Sequence, residues 1–295
     1  PIFQANQFIQ LLRDVVAIPA GWATSEQHFT FDLVASSLVA VLVAVVVIGR
    51  IERIGKLTVR LVPSMVLLYL FMTVTVMFNY AAEIPATLLL IITDAFTGQA
   101  AAGGSIGAVI LIGVRRGAFS NEAGIGTESM AHGAAKTAEP IREGIVAMVG
   151  PVIDTLLVCT CTALIILLTG VWQTEAGIEG VTLTARAIEQ VFPVTGMYLL
   201  LLMVGLLSFS TMVTMWFYGV KCMGFLLGAK RQYWYTPIYL TLLLVGAVVS
   251  MDIVNGLILA TYATMAIPTM ISALYLAPKV NQAAEKYFAE LKQQK

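Results

Sequence analysis

Long apolar runs separated by short polar stretches set the pattern of this chain. Residues 33–49 form one such run and residues 62–80 a second. A third, 86–114, is interrupted near 96–104 by the polar, Gly-rich stretch FTGQAAAGG. Four more follow at 144–170, 194–220, 236–251 and 253–277. Each reaches or approaches the roughly 20 apolar residues that a helix needs to cross a bilayer. The pattern predicts an all-α protein with seven membrane spans. After the last span, NQAAEKYFAELKQQK reads as a short, charged amphipathic helix outside the membrane. The first residues, PIFQANQFIQLL, read as the end of a helix. The chain is therefore expected to be the C-terminal part of a longer protein, in a single transmembrane domain.

Composition agrees with the pattern. Of the 295 residues, 59% are hydrophobic and 12% charged, against about 25% charged in a soluble domain. Formal net charge is zero, which gives no electrostatic case for nucleic acid. Cys159, Cys161 and Cys222 lie in or beside apolar segments, an arrangement that argues against a disulfide framework. The basic residues are sorted by side. Fifteen of the seventeen fall in the loops at 50–60, 115–142 and 221–231 and in the C-terminal segment. Only Arg13 and Arg186 fall in the intervening loops. Basic loops favour the cytoplasmic face, so the segment 115–142 is expected inside the cell and 14–32, 81–85 and 171–193 outside.

Candidate chemistry sits at the polar breaks. In lipid every backbone polar group needs a partner, so a Gly-rich break is tolerated where it lines a cavity or is buried in protein. Broken helices of this kind supply helix ends and freed carbonyls to ligands. Tight packing through small residues explains the same composition, but Asp94, an intramembrane acid, favours a binding role. In LLSFSTMVTMW, Ser208, Ser210, Thr211 and Thr214 could give oxygens to a small cation. Equally, they could bond back to the preceding turn. Asp154 and Thr155 leave open a hydrogen bond to the neighbouring loop or a place on an ion path. The polar segment 115–142 holds Ser120, Asn121, Glu122, Glu128 and His132, without G-x-S-x-G or H-E-x-x-H. A structural or gating role is expected there, not an enzyme, and no cofactor is indicated.

These motifs carry a resemblance. The stretch R-G-A-F-S-N-E-A-G-I-G at 116–126, then A-H-G-A-A-K-T at 131–137, then D-T-L-L-V-C-T-C-T-A at 154–163 closely resembles the alanine/glycine:cation symporter family. DAFTGQAAAGGSIGA at 94–108 and FSTMVTMWFYGVKC at 209–222 agree with it. Departures are GTES at 126–129 and AIPTM at 266–270. The resemblance covers essentially the whole chain. It implies the amino acid–polyamine–organocation superfamily and the leucine-transporter-like inverted-repeat bundle. Here that bundle would lack its first two core helices and most of the third, and the seven spans would be core helices four to ten.

The function implied is uptake of alanine- or glycine-type amino acids coupled to sodium influx by alternating access, in the plasma (inner) membrane. Coupling to protons is the alternative, and a channel or non-transporting scaffold the remote one. On the same basis Asp94, Phe96, Thr97, Gln99, Gly103 and Gly104, with Gln4 and Asn6 at the end of core helix three, are expected to meet the substrate. Ser208, Ser210 and Thr211 are expected to hold sodium. Ser120, Asn121, Glu122, Gly124 and His132 are expected in a cytoplasmic motif or gate. Sodium is the one metal implied, and the lipid bilayer is the remaining partner.

Overall fold

The computed structural model describes residues 1–96, 111–114, 117, 120–174 and 180–293, without the side chains of 50–52. Thr97, Gln99, Gly103 and Gly104 lie outside the described residues. Every regular element among those described is helical. The elements are α1 (Ile2–Leu12), α2 (Phe29–Val47), α3 (Arg50–Asn79), α4 (Ile84–Phe96), α5 (Thr127–His132), α6 (Pro140–Val152), α7 (Thr160–Thr169), α8 (Val171–Thr174), α9 (Val181–Val191), α10 (Thr195–Leu227), α11 (Tyr235–Val248) and α12 (Met251–Gln293). Two π-helical segments, Arg13–Ala17 and Ile153–Cys159, continue α1 and α6. The helices divide into two compact units, one of Pro1–Thr87 with Thr162–Gly256 and one of Leu88–Cys161 with Leu257–Lys295.

In the first unit α1 packs on α2, α10 and α11, and α10 also packs on α3 and α9. The core joins Val43 and Val47 of α2 to Met212, Trp216 and Val220 of α10 and to Tyr239 and Leu243 of α11. The polar groups of Tyr239 and Trp216 inside it are paired, as burial requires. The Tyr239 hydroxyl donates to the Met212 carbonyl. The Trp216 ring N–H donates to Thr236 Oγ1 at 3.1 Å. The Tyr69 and Thr162 hydroxyls bond to each other. Outward, Leu38, Val41, Leu42 and Val45 of α2 are exposed, a face suited to an apolar solvent.

The second unit holds α5, α6, the π-helical segment at 153–159 and most of α12. Pro140 opens α6, where its missing N–H costs nothing. Among the described residues, five helices are long and apolar enough to cross a membrane: Phe29–Val47, Arg53–Asn79, Pro140–Thr169, Thr195–Leu227 and Met251–Gln293. Two expected spans coincide with shorter helices. The described part of 86–114 includes α4, of 13 residues. The run 236–251 becomes the 14-residue α11, which ends where Val249 turns extended. The separate C-terminal amphipathic helix is corrected by the structure. It is the continuation of the last apolar run in one 43-residue helix. Pro268 and Pro278 sit inside that helix without ending it.

Candidate functional site

Two groups of polar side chains stand out, one in each unit. In the first unit the meeting of α1 and α10 depends on a glycine. A Cβ added to Gly205 would lie 2.9 Å from Phe8 Cε2, closer than carbon atoms pack. Residues three or four apart share a helix face, so Gln4 stands on the Phe8 side of α1 and Ser208 on the Gly205 side of α10. Ser208 and Ser210 are buried. Gln4 Oε1 is buried and accepts no hydrogen bond among the described residues.

The other expected residues of this unit have hydrogen-bond partners within it. Asn6 Nδ2 donates to the Gly246 carbonyl at 3.0 Å and the Val249 carbonyl at 2.8 Å, closing the end of α11. Both amide protons of Asn6 are thereby used, and its side-chain oxygen remains an acceptor. Ser210 and Thr211 both donate to the Leu207 carbonyl, each at 2.9 Å. Thr214 donates to the Ser210 carbonyl at 2.8 Å. A hydroxyl that donates keeps its oxygen lone pairs, so this back-bonding leaves them able to meet a cation. In the second unit Asp94 and Phe96 lie at the end of α4. Phe96 is 89% exposed.

The second unit organises the polar motif. Glu122 has φ +53°, Gly124 φ +82° and Gly126 φ +109°. These left-handed angles favour glycine and strain a side-chain-bearing residue. They turn the N–H groups of Gly124 and Gly126 onto the two carboxylate oxygens of Glu128, each at 3.0 Å. Thr127 donates its hydroxyl to Glu122. Burial pushes the Glu122 carboxyl above its ordinary pKa of 4.5, Thr127 opposes the shift, and the nearby Glu128 charge adds to it. Thr269 of α12 donates to the Ile125 carbonyl at 3.1 Å and anchors the turn.

The motif also reaches the π-helical segment. Ser120 donates to Asp154 Oδ2 at 2.6 Å. Asn121 Nδ2 donates to Thr155 Oγ1 at 2.8 Å, and Thr155 returns its proton to Asn121 Oδ1 at 3.0 Å. Of the two readings open for Asp154, the bond to the loop is the one observed. His132 Nδ1 meets Glu143 Oε1 at 2.7 Å. Ser120, Asn121, Glu128, His132 and Asp154, with Gly150, border a cavity of about 300 Å³. The Ser120 proton goes to a carboxylate and the His132 ring to Glu143, so these groups do not form a nucleophile and base pair.

One polar cluster of the first unit carries no sequence motif. On the π-helical segment Arg13 Nη1 lies 2.6 Å from Asp32 Oδ2, and His28 Nδ1 lies 2.7 Å from the same oxygen. An isolated basic residue among outer loops was the available signal.

Comparison with known proteins decides the family. The sodium:alanine symporter family matches residues 1–295. The chain belongs to that family. Its members are transporters, not enzymes. An uncharacterised transporter of Haemophilus influenzae is 32% identical over 98% of this chain and 62% of its own. The sodium/alanine symporter AgcS of Methanococcus maripaludis is 34% identical over 83% of this chain and 54% of its own. The probable sodium/glutamine symporter GlnT of Bacillus subtilis is 32% identical over 84% and 52%. The chain thus spans about half to three-fifths of the curated relatives it matches. With its long apolar helices, this member of the symporter family is a multi-pass membrane protein.

Proposed function

We propose that the chain forms part of a sodium-coupled symporter for small amino acids of the alanine and glycine type, working by alternating access in the plasma membrane. The fold proposed is the leucine-transporter-like inverted-repeat bundle. The observation that carries the reading is Gln4. A buried acceptor without a donor is costly and is normally filled. Gln4 Oε1 is such an acceptor, on the face of α1 that meets α10. A substrate ammonium fits it, and the hydroxyls of Ser208, Ser210 and Thr211 offer the neutral oxygens that suit sodium. The names of AgcS and GlnT support sodium with an amino acid as the transported pair. Asp94, Phe96, Thr97, Gln99, Gly103 and Gly104 are likewise proposed as substrate-binding residues. Coupling follows if sodium binds one state of the transporter more tightly than the other.

Uptake of labelled alanine by the full-length protein, with sodium replaced by choline or potassium, tests the proposal. Loss of uptake in both replacements is expected. Uptake that persists without sodium and follows the proton gradient would overturn sodium coupling.

A further inference from the structure

We propose that Asp154 and Thr155 are positioning residues of the transport cycle, holding the 120–121 motif in a latch that must open at each turnover. The inference rests on the symporter reading.

The geometry starts from the helix period. In an α-helix, residues five apart point about 140° from each other. With the i→i+5 bonding of a π-helix they point within about 50°. Asp154 and Cys159 are five apart and lie within the π-helical segment Ile153–Cys159. Both reach Ser120, whose Oγ is 2.6 Å from Asp154 Oδ2 and 3.7 Å from Cys159 Sγ. Thr155 and Asn121 exchange two bonds beside them. The contact therefore belongs to the wide turn. If the segment tightens to α-helical pitch, Asp154 and Cys159 diverge and Ser120 cannot keep both. Such turns are common at functional sites, and this one ties the polar motif to a long apolar helix, so its bonds are placed to open and close with the helix.

Cys159 makes the latch testable. The Ser120→Cys variant of the full-length protein, in a Cys161→Ala, Cys222→Ala background, puts a second thiol beside Cys159. Copper phenanthroline oxidises the two thiols to a disulfide, removing two electrons and two protons. We expect crosslinking in native membranes, loss of at least nine-tenths of uptake on oxidation, and recovery with dithiothreitol. Cys159→Ser in the same background should be insensitive. Thr155→Val, which keeps shape but loses both bonds to Asn121, should slow crosslinking at least threefold. In the otherwise unmodified protein it should lower the maximal rate with little change in KM. Asp154→Asn, which still accepts from Ser120, should keep more uptake than Asp154→Ala.

Uptake that continues after complete crosslinking would overturn the proposal, as would a Thr155→Val variant that crosslinks at the parent rate. Absence of a crosslink in correctly inserted protein would do the same. Crosslinking does not depend on the coupling ion. A protein whose uptake ignores sodium would overturn the coupling reading while the disulfide measurements still judge the latch.

Discussion

Arg13 and Asp32 meet at 2.6 Å where the π-helical end of α1 faces the first turn of α2. Asp32 is 2% exposed, and Arg13 16%. Two partners crowd one oxygen, since His28 reaches Asp32 Oδ2 as well. A buried charge that loses its partner is far worse than a buried pair. We expect Asp32→Ala to destabilise the protein by about 3 kcal/mol. In detergent this should lower the unfolding midpoint by on the order of 10 °C. The double variant Arg13→Met, Asp32→Leu should cost less than either single change. Thermal scans of wild type, Asp32→Ala, the double variant and its two single changes check both expectations, and additive losses would show that the pair is not coupled.

The three hydroxyls of α10 are not equivalent. Ser210 and Thr211 donate to the Leu207 carbonyl, while Ser208 is buried and makes no such back-bond among the described residues. Its hydroxyl is the freest of the three to orient toward a cation. Ser208→Ala should therefore raise the sodium concentration for half-maximal alanine uptake by about tenfold, the effect of losing one ligand worth ~1.4 kcal/mol. Ser210→Ala and Thr211→Ala should raise it less. Sodium titrations of uptake in the full-length variants measure this. Equal half-saturation in wild type and Ser208→Ala would remove Ser208 from the ion site.

Glu122 gives the motif a pH dependence with a definite sign. Burial raises its pKa, so the folded protein holds that proton more tightly than the unfolded chain does. Its contribution to stability is complete below the ordinary value of 4.5 and is lost as pH rises through the raised folded value. Glu122→Gln, which cannot ionise, should remove this decline. Thermal scans from pH 4 to pH 8 are expected to show a shallower fall on the alkaline side for Glu122→Gln than for wild type. Parallel curves would show that Glu122 ionises freely in the fold.

The long helices were legible because apolar length is a direct demand of the bilayer, and α2, α3 and α10 fall on runs read from the pattern alone. The continuity of α12 was not. The change from apolar to charged residues after 277 marked the start of a separate helix, but the helix runs on through it and through Pro268 and Pro278. The π-helical segments were invisible for a related reason. A periodicity argument assumes 3.6 residues per turn and cannot see a local wide turn. The Ser120–Asp154 and Asn121–Thr155 bonds join residues 34 apart. Sequence marked both ends as polar without pairing them. Glu122 at positive φ was hidden because only its glycine neighbours carry that signal. For Asn6 the residue type was informative and the partner was not, since its bonds go to backbone carbonyls of α11, 240 and 243 residues away.

Gln4 separates stability from function. A buried side-chain oxygen with no donor costs about 1–3 kcal/mol. Among the described residues Gln4 Oε1 is in that condition, on the side of α1 that carries Phe8. A position kept for stability alone would be better served by an apolar residue of similar size. Gln4→Leu should therefore fold at least as well as wild type, with an unfolding midpoint unchanged or higher. Transport should suffer, because the oxygen would be filled by the substrate ammonium. The loss of one hydrogen bond to a charged group, ~1.5 kcal/mol, corresponds to about a tenfold rise in KM for alanine. The sodium dependence should move little, since the hydroxyls of α10 are untouched. Gln4→Glu retains an acceptor and adds charge, so it should bind alanine better than Gln4→Leu does. Uptake kinetics and a thermal scan on the same preparations decide it. A Gln4→Leu protein with wild-type KM would assign the orphan oxygen to another role and move the substrate ammonium elsewhere in the chain.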